Sequence, residues 1–302
     1  MNRTDYYKPH HIYKGTRMPP SVTETAVDAV EDLEIRDDDI LLTGYPKSGT
    51  HWMVEVIQLI LADGDASKLD YQCRKALLEG TDVKYLSGLH KKQSNAERVK
   101  YYPSPRVLKT HFRPYLVPKE AWTKKIPIIY LLRNPKDVFL SSVEFQKVFT
   151  LSAEQDVDFD KFFEAFLSGH VHYDGWCQHV TSFEALKGKE NILFVTYEEA
   201  KQDPHTVIKS IAQHIGRDIS DDVIEKVVAN STVEAMKQNY NKAMESLKQG
   251  DLDVNVVHLT SFINKGVAGR WKPQNSEDKW RRLDEIFKEK VRDTVYAIKY
   301  FK

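Results

Sequence analysis

The sequence predicts an α/β fold: a single domain with a central parallel sheet flanked by helices, and a P-loop-like strand, loop and helix for binding phosphate. Three observations point there. Short apolar runs alternate with helical segments, a glycine-containing turn stands where the first run passes into a helix, and no Gly/Pro-rich or low-complexity linker divides the 302 residues. We read 1–302 as one domain.

Residues 1–36 are mixed and polar, and Tyr13, Met18 and Pro19-Pro20 predict a strap that packs on the surface. The run from Ile40 to Gly44 is a strand ending in glycine, and His51 to Ala62 is apolar on most faces, as a buried helix is. Arg106 to Lys109 is a second strand and Ile126 to Leu132 a third. After the third, Asn134-Pro135 offers an N-cap and a first-turn proline for a helix through about Lys147. Ile192 to Tyr197 is a fourth strand, and Asp203-Pro204 opens a helix that Gly216 can end. Trp280, Leu283, Phe287, Val291 and Val295 recur at helical spacing and predict a helix docked on the core. A parallel sheet of this kind binds ligands at the C-terminal ends of its strands, so the loops there are the place to look for chemistry.

Composition narrows the classes. The 44 basic and 44 acidic residues balance, so no global field recruits nucleic acid or an anionic membrane, and an anion site must be local. Cys73 and Cys177 form no CxxC pair, which fits a reducing compartment and offers no zinc framework. The first residues lack the apolar core of a signal peptide, and no apolar run approaches the ~20 residues that span a bilayer, so we expect a cytoplasmic protein. His170, His172 and His179 are read as structural histidines on one helix, without the carboxylates or thiolates of a metal site.

The segment Gly44 to Thr50 aims backbone N–H groups and the positive end of a helix dipole at one point. It keeps the glycine spacing of the Walker A pattern, but Thr50 stands where that pattern has lysine, and Lys47 sits inside the loop instead. Without lysine followed by Ser/Thr to hold magnesium, a nucleoside triphosphatase is disfavoured while a phosphate-containing ligand is not. A plain glycine-lysine turn is the bland alternative.

Tyr45-Pro-Lys-Ser-Gly-Thr-His-Trp52 resembles the donor-binding loop of the cytosolic sulfotransferases. Three further segments match that family in order: Lys109-Thr-His111, Arg133-Asn-Pro-Lys-Asp137 with Ser141, and Lys265 to Lys272. The resemblance spans roughly residues 40–272. It implies a sulfotransferase that uses 3′-phosphoadenosine 5′-phosphosulfate (PAPS), releases 3′-phosphoadenosine 5′-phosphate (PAP) and needs no metal. By the same resemblance Lys47 acts on the donor's bridging oxygen, and Ser48, Gly49, Thr50, His51 and Trp52 surround the 5′-phosphate, Trp52 also lying near adenine. His111 is the general base, the side chain best poised to take a proton near neutral pH, and Lys109 steadies the sulfonate. Arg133, Ser141, Lys265 and Gly266 hold the 3′-phosphate, with Ser141 also counted in the catalytic set, and Tyr197, Ser231 and Asn264 complete the donor site. Tyr85, Phe112, Phe145 and Phe149 line an acceptor pocket, where aromatic walls suit phenols, alcohols or sterols. Glu144 is an exposed helix residue that could instead recognise an amine.

Several positions depart from the family. His51 replaces a threonine, Ser231 and Val233 stand for threonine and phenylalanine near adenine, and Asn264 removes an arginine, which predicts weaker donor binding. Arg270 replaces an acid before Trp271, and the usual dimer motif is missing after Lys272, so we expect a monomer or weak homodimer. Two other readings compete: a catalytically weak nucleotide-binding regulatory protein, and a small-molecule kinase, which Thr50 at the lysine position argues against.

Overall fold

The computed structural model describes residues 11–69, 77–80, 94–149, 157–248, 266–274, 276–294 and 300. Its centre is a four-stranded, all-parallel sheet. The strands are β3 (Ile40–Thr43), β4 (Val107–Thr110), β5 (Ile128–Leu132) and β6 (Ile192–Thr196), in the order β4-β3-β5-β6. The register pairs Leu42 with Lys109 on one side of β3 and with Ile129 on the other.

Alternation along the strands explains why every position in β3, β4 and β5 is buried. Ile40, Leu42, Ile129 and Leu131 face one apolar layer with the helix Thr50–Leu61. Leu41, Leu108, Ile128, Tyr130 and Leu132 face the other, which includes Phe139, Trp176 and Phe287. Because the chain moves from β3 to β4 on one side and then to β5 on the other, the strand order reverses at β3. The loops after β3, β4 and β5 open together at that switch point.

Local chemistry sets the boundaries. Strand β6 stops at Thr196 because the Thr196 side chain accepts from Glu199 N at 3.2 Å, capping a helix Tyr197–Gln202. Tyr197 therefore opens a helix instead of ending a strand. Strand β4 begins one residue after Arg106, whose guanidinium turns to the buried Asp39 carboxylate, with Nε donating at 2.7 Å. The helix Pro135–Phe149 runs two residues beyond Lys147. The helix Pro204–His214 ends at Gly216, where Gly216 N donates to Gln213 O and Arg217 N to Ala212 O, a Schellman closure. In the C-terminal helix Glu277–Lys290, Trp280, Leu283 and Phe287 are buried; Val291 follows the last turn, and Val295 lies outside the described residues.

The N-terminal segment is more than a surface strap. Strands β1 (His11–Tyr13) and β2 (Thr16–Met18) form an antiparallel hairpin turned through Lys14 and Gly15, both left-handed, and a helix Glu24–Glu31 follows. Met18 and Val30 are fully enclosed in the core, so the segment contributes to it. Among the described residues, no helix is long and apolar enough to cross a membrane.

Candidate active site

The β3 loop is constrained at both ends by glycine. A Cβ on Gly44 would come within 2.4 Å of Leu131 O, and one on Gly49, at φ +100°, would strike the Tyr197 ring at 2.7 Å. Between them Ser48 N donates back to Tyr45 O, and the Ser48 hydroxyl is buried with no partner. Gly49 caps the helix Thr50–Leu61 without any side-chain hydrogen bond, and no acidic residue occupies the first turn. That leaves the N-terminal N–H groups and the helix dipole uncompensated by protein. Lys47, half-buried at φ +70°, holds its Nζ 4.1 Å over the Phe145 ring. Burial lowers its pKa to about 8, with Arg133 adding to the shift and Glu144 opposing it.

His111 follows β4, and its Nδ1 donates to Gly44 O at 2.6 Å, so the base candidate is tied directly to the phosphate loop. A proton fixed on Nδ1 leaves Nε2 as the basic nitrogen of the neutral ring. The His111 backbone N donates to Glu79 Oε1 at 2.8 Å, Thr110 Oγ1 donates to Glu79 Oε2 at 2.8 Å, and the Tyr173 ring meets the imidazole edge-on at 5.7 Å. Burial pushes Glu79 up to about 7 and His111 down to about 3, the latter helped by Lys109 and Lys47. Lys109, buried on β4, lies with Nζ 3.5 Å from His51 Nε2, which brings the substituted loop position against the second cation.

His179 supports this arrangement from below: Tyr130 Oη lies 2.9 Å from its Nδ1, and its Nε2 lies 3.1 Å from His111 O. It belongs to the helix Trp176–Glu184, whereas His170 and His172 precede that helix on separate turns broken by Gly169 and Gly175. The three do not share a helix as the sequence reading had them. Among the described residues no group of His, Cys, Asp and Glu could hold a metal ion.

Burial holds His179, like His111, down to about 3. Its native ring stays neutral while the unfolded ring gains a proton below ~6.5, so its contribution is present above that pH and lost as pH falls. By pH 5 the loss is about 2 kcal/mol per ring. Glu79 works in the opposite sense between ~4.5 and about 7, where the native carboxyl keeps a proton that the unfolded one releases. Urea unfolding of His179→Gln beside wild type isolates the ring. The variant's deficit at pH 7 narrows by about 2 kcal/mol at pH 5.

Arg133, at the end of β5, donates through Nη1 to Lys47 O at 3.0 Å and through Nη2 to Val267 O at 3.4 Å, while its guanidinium lies 4.4 Å over the Tyr197 ring. Its Nε is buried without a partner. Ser141 is buried in the following helix. Trp52 meets Tyr197 edge-on at 5.4 Å and donates through Nε1 to Ser231 O at 2.9 Å; the Ser231 hydroxyl turns to Val228 O. Gly266, at φ +68°, packs so closely on Val233 that a Cβ would lie 2.5 Å from Val233 Cγ2. The loops thus gather Lys47, Ser48, Gly49, Thr50, His51, Trp52, Lys109, His111, Arg133 and Tyr197 at one end of the sheet. Tyr85, Asn264 and Lys265 lie outside the described residues, as does the Phe149 side chain.

The structure also places two residues of the acceptor side. Phe112 has no exposed surface and packs in the core against Tyr173. Glu144 receives both terminal nitrogens of Arg270, one at 2.9 Å, so the departure at Arg270 already supplies its cation. Sequence reasoning missed Glu79, Tyr173 and Lys201. Only Lys201 had a local signal, four residues after Tyr197 on a polar helical turn. It places Nζ 3.7 Å over the Trp52 ring.

A family model described as a sulfotransferase domain matches residues 37–295. The chain is 30% identical to human sulfotransferase 1C2 over 281 residues, 93% of this chain and 92% of that protein. It is 33% identical to rat sulfotransferase 2B1 over 284 residues, 92% of this chain and 79% of that one. Among solved structures, mouse sulfotransferase SULT7A1 complexed with PAP superposes with a TM-score of 0.74 at 28% identity, covering 95% of this chain and 96% of that one.

Proposed function

The chain belongs to the sulfotransferase family, and on that premise we propose that it moves a sulfonate group from PAPS to the hydroxyl or amine of a small acceptor such as a phenol, alcohol or sterol, in the cytoplasm, with His111 as general base. The observation that carries this reading is the 2.6 Å hydrogen bond from His111 Nδ1 to Gly44 O, which joins an oriented imidazole to an uncapped phosphate loop.

The residues present fit such a donor. Ser48 Oγ and Arg133 Nε are buried polar atoms without protein partners, and the Gly49 turn admits no side chain, which keeps the loop backbone accessible to a phosphate. Ser48 to Trp52 would hold the 5′-phosphate side and Arg133 with Ser141 the 3′-phosphate, Trp52 and Tyr197 lying against the base. PAPS supplies the electrophilic sulfonate and the leaving phosphate. His111 Nε2 accepts the acceptor's proton as its oxygen or nitrogen attacks. Lys47 and Lys109 place positive charge where negative charge grows, which needs no covalent work by the protein. Burial within the protein disfavours the imidazolium, and an anionic donor would offset that penalty and make His111 a stronger base.

Incubation with sulfur-labelled PAPS and a panel of phenols, alcohols, sterols and amines tests the reading. Labelled acceptor is the expected product. Measurable PAP binding with no labelled product from any acceptor would overturn the transferase reading in favour of a nucleotide-binding module.

A further inference from the structure

Deepening the reading just given, and resting on it, we propose that Lys201 is a second cation of the donor's 3′-phosphate site, acting beside Arg133. Lys201 lies one helical turn after Tyr197, which puts both side chains on one face of the helix Tyr197–Gln202. Its Nζ sits 3.7 Å over the Trp52 ring and 5.7 Å over the Tyr197 ring, and the Arg133 guanidinium covers Tyr197 at 4.4 Å. Two cations thus converge on one phenol ring. A Cβ on Gly266 would lie 3.9 Å from Lys201 Nζ, so the ammonium also reaches the backbone that enters the Val267 loop, where Arg133 Nη2 donates.

The cationic donors around this spot are not all met by protein acceptors. Lys201 Nζ donates to no acceptor among the described residues, and its contacts there are the two aromatic faces. Glu198, on the same helix, is occupied by Asn134 N at 2.9 Å and Tyr300 Oη at 2.8 Å. Burial, then Arg133, lowers the Lys201 pKa to about 8, and Glu234 offsets only part of this. Asp137 neighbours Arg133 at 4.0 Å but gives its oxygens to Gly269 N and Trp271 N. Two cationic donors meet at this half-buried aromatic floor with hydrogen-bonding capacity to spare, since Arg133 Nε stands buried without a partner and Lys201 Nζ rests on ring faces. A phosphate dianion supplies acceptors for both cations, and the four-carbon lysine stem has the freedom to leave the Trp52 face for it.

Calorimetry with PAP and with adenosine 5′-monophosphate, which lacks the 3′-phosphate, separates this role from its alternatives. Lys201→Met is expected to weaken PAP binding roughly tenfold while leaving the monophosphate unchanged, and Lys201→Arg is expected to restore most of the PAP affinity. Thermal melting of both variants checks that the fold is retained. Unchanged PAP affinity in Lys201→Met would overturn the proposal, as would equal losses for the two nucleotides, which would place Lys201 at the base or in the fold. Either of those results leaves the PAPS reading standing, whereas wild type that fails to bind PAP would sink both.

Discussion

His111→Ala lowers kcat by about 10²–10⁴-fold while PAP affinity is retained, the signature of a proton acceptor that does not hold the donor. The geometry makes the separation expected. The ring reaches the loop after β3 through Nδ1 and Gly44 O, while the groups available to phosphate include Ser48, the uncapped helix and Arg133. His111→Gln is the informative companion, because an amide can keep the hydrogen bond to Gly44 O yet cannot accept the proton at neutral pH. Turnover that stays low in His111→Gln assigns the loss to proton transfer. Near-normal turnover in either variant would remove His111 as the base. The measurement is the initial rate with labelled PAPS under saturating acceptor, alongside PAP titration.

Lys47→Met is expected to cost about 10²–10³-fold in kcat, the scale of one preorganised charge facing a developing anion. Its pKa near 8 leaves the ammonium mostly protonated at pH 7, with charge present below that value and lost as pH rises through it. Few protein groups compete for that charge: its contact is the Phe145 face at 4.1 Å, which stabilises a cation without a strong hydrogen bond. Lys47→Arg tests position against charge, since a planar guanidinium on a left-handed loop residue cannot duplicate a point ammonium. A Lys47→Met enzyme with unchanged kcat and a raised KM for PAPS would show that the residue only binds the donor.

Much of the fold was legible because alternation and turn chemistry are local. The four apolar runs became the four strands, and Asn134-Pro135, Asp203-Pro204 and Gly216 marked real helix ends. What failed depended on partners distant in sequence. Thr196 reads as one more β-branched strand residue until its side chain turns to cap Glu199, and the hairpin at residues 11–18 forms as the core encloses Met18. The site divides the same way. The loop from Gly44 to Thr50 was readable from its glycines, while Glu79 and Tyr173 were not, since nothing near them in the chain announces that β4 will end against both. Phe112 illustrates why a pocket is hard to read from sequence, since burial in a core and burial against a ligand call for the same side chain.

The bond between His111 and Gly44 has a consequence for mutation. A histidine oriented by a carboxylate can lose its tautomer through one substitution in its partner. Here the partner is a main-chain oxygen, and the residue that carries it cannot gain a side chain without striking Leu131 O. The orientation of the proposed base therefore depends on no neighbouring side chain, and any side chain at Gly44 would displace the oxygen that sets it, whereas His51 and Arg270 can change without touching that bond.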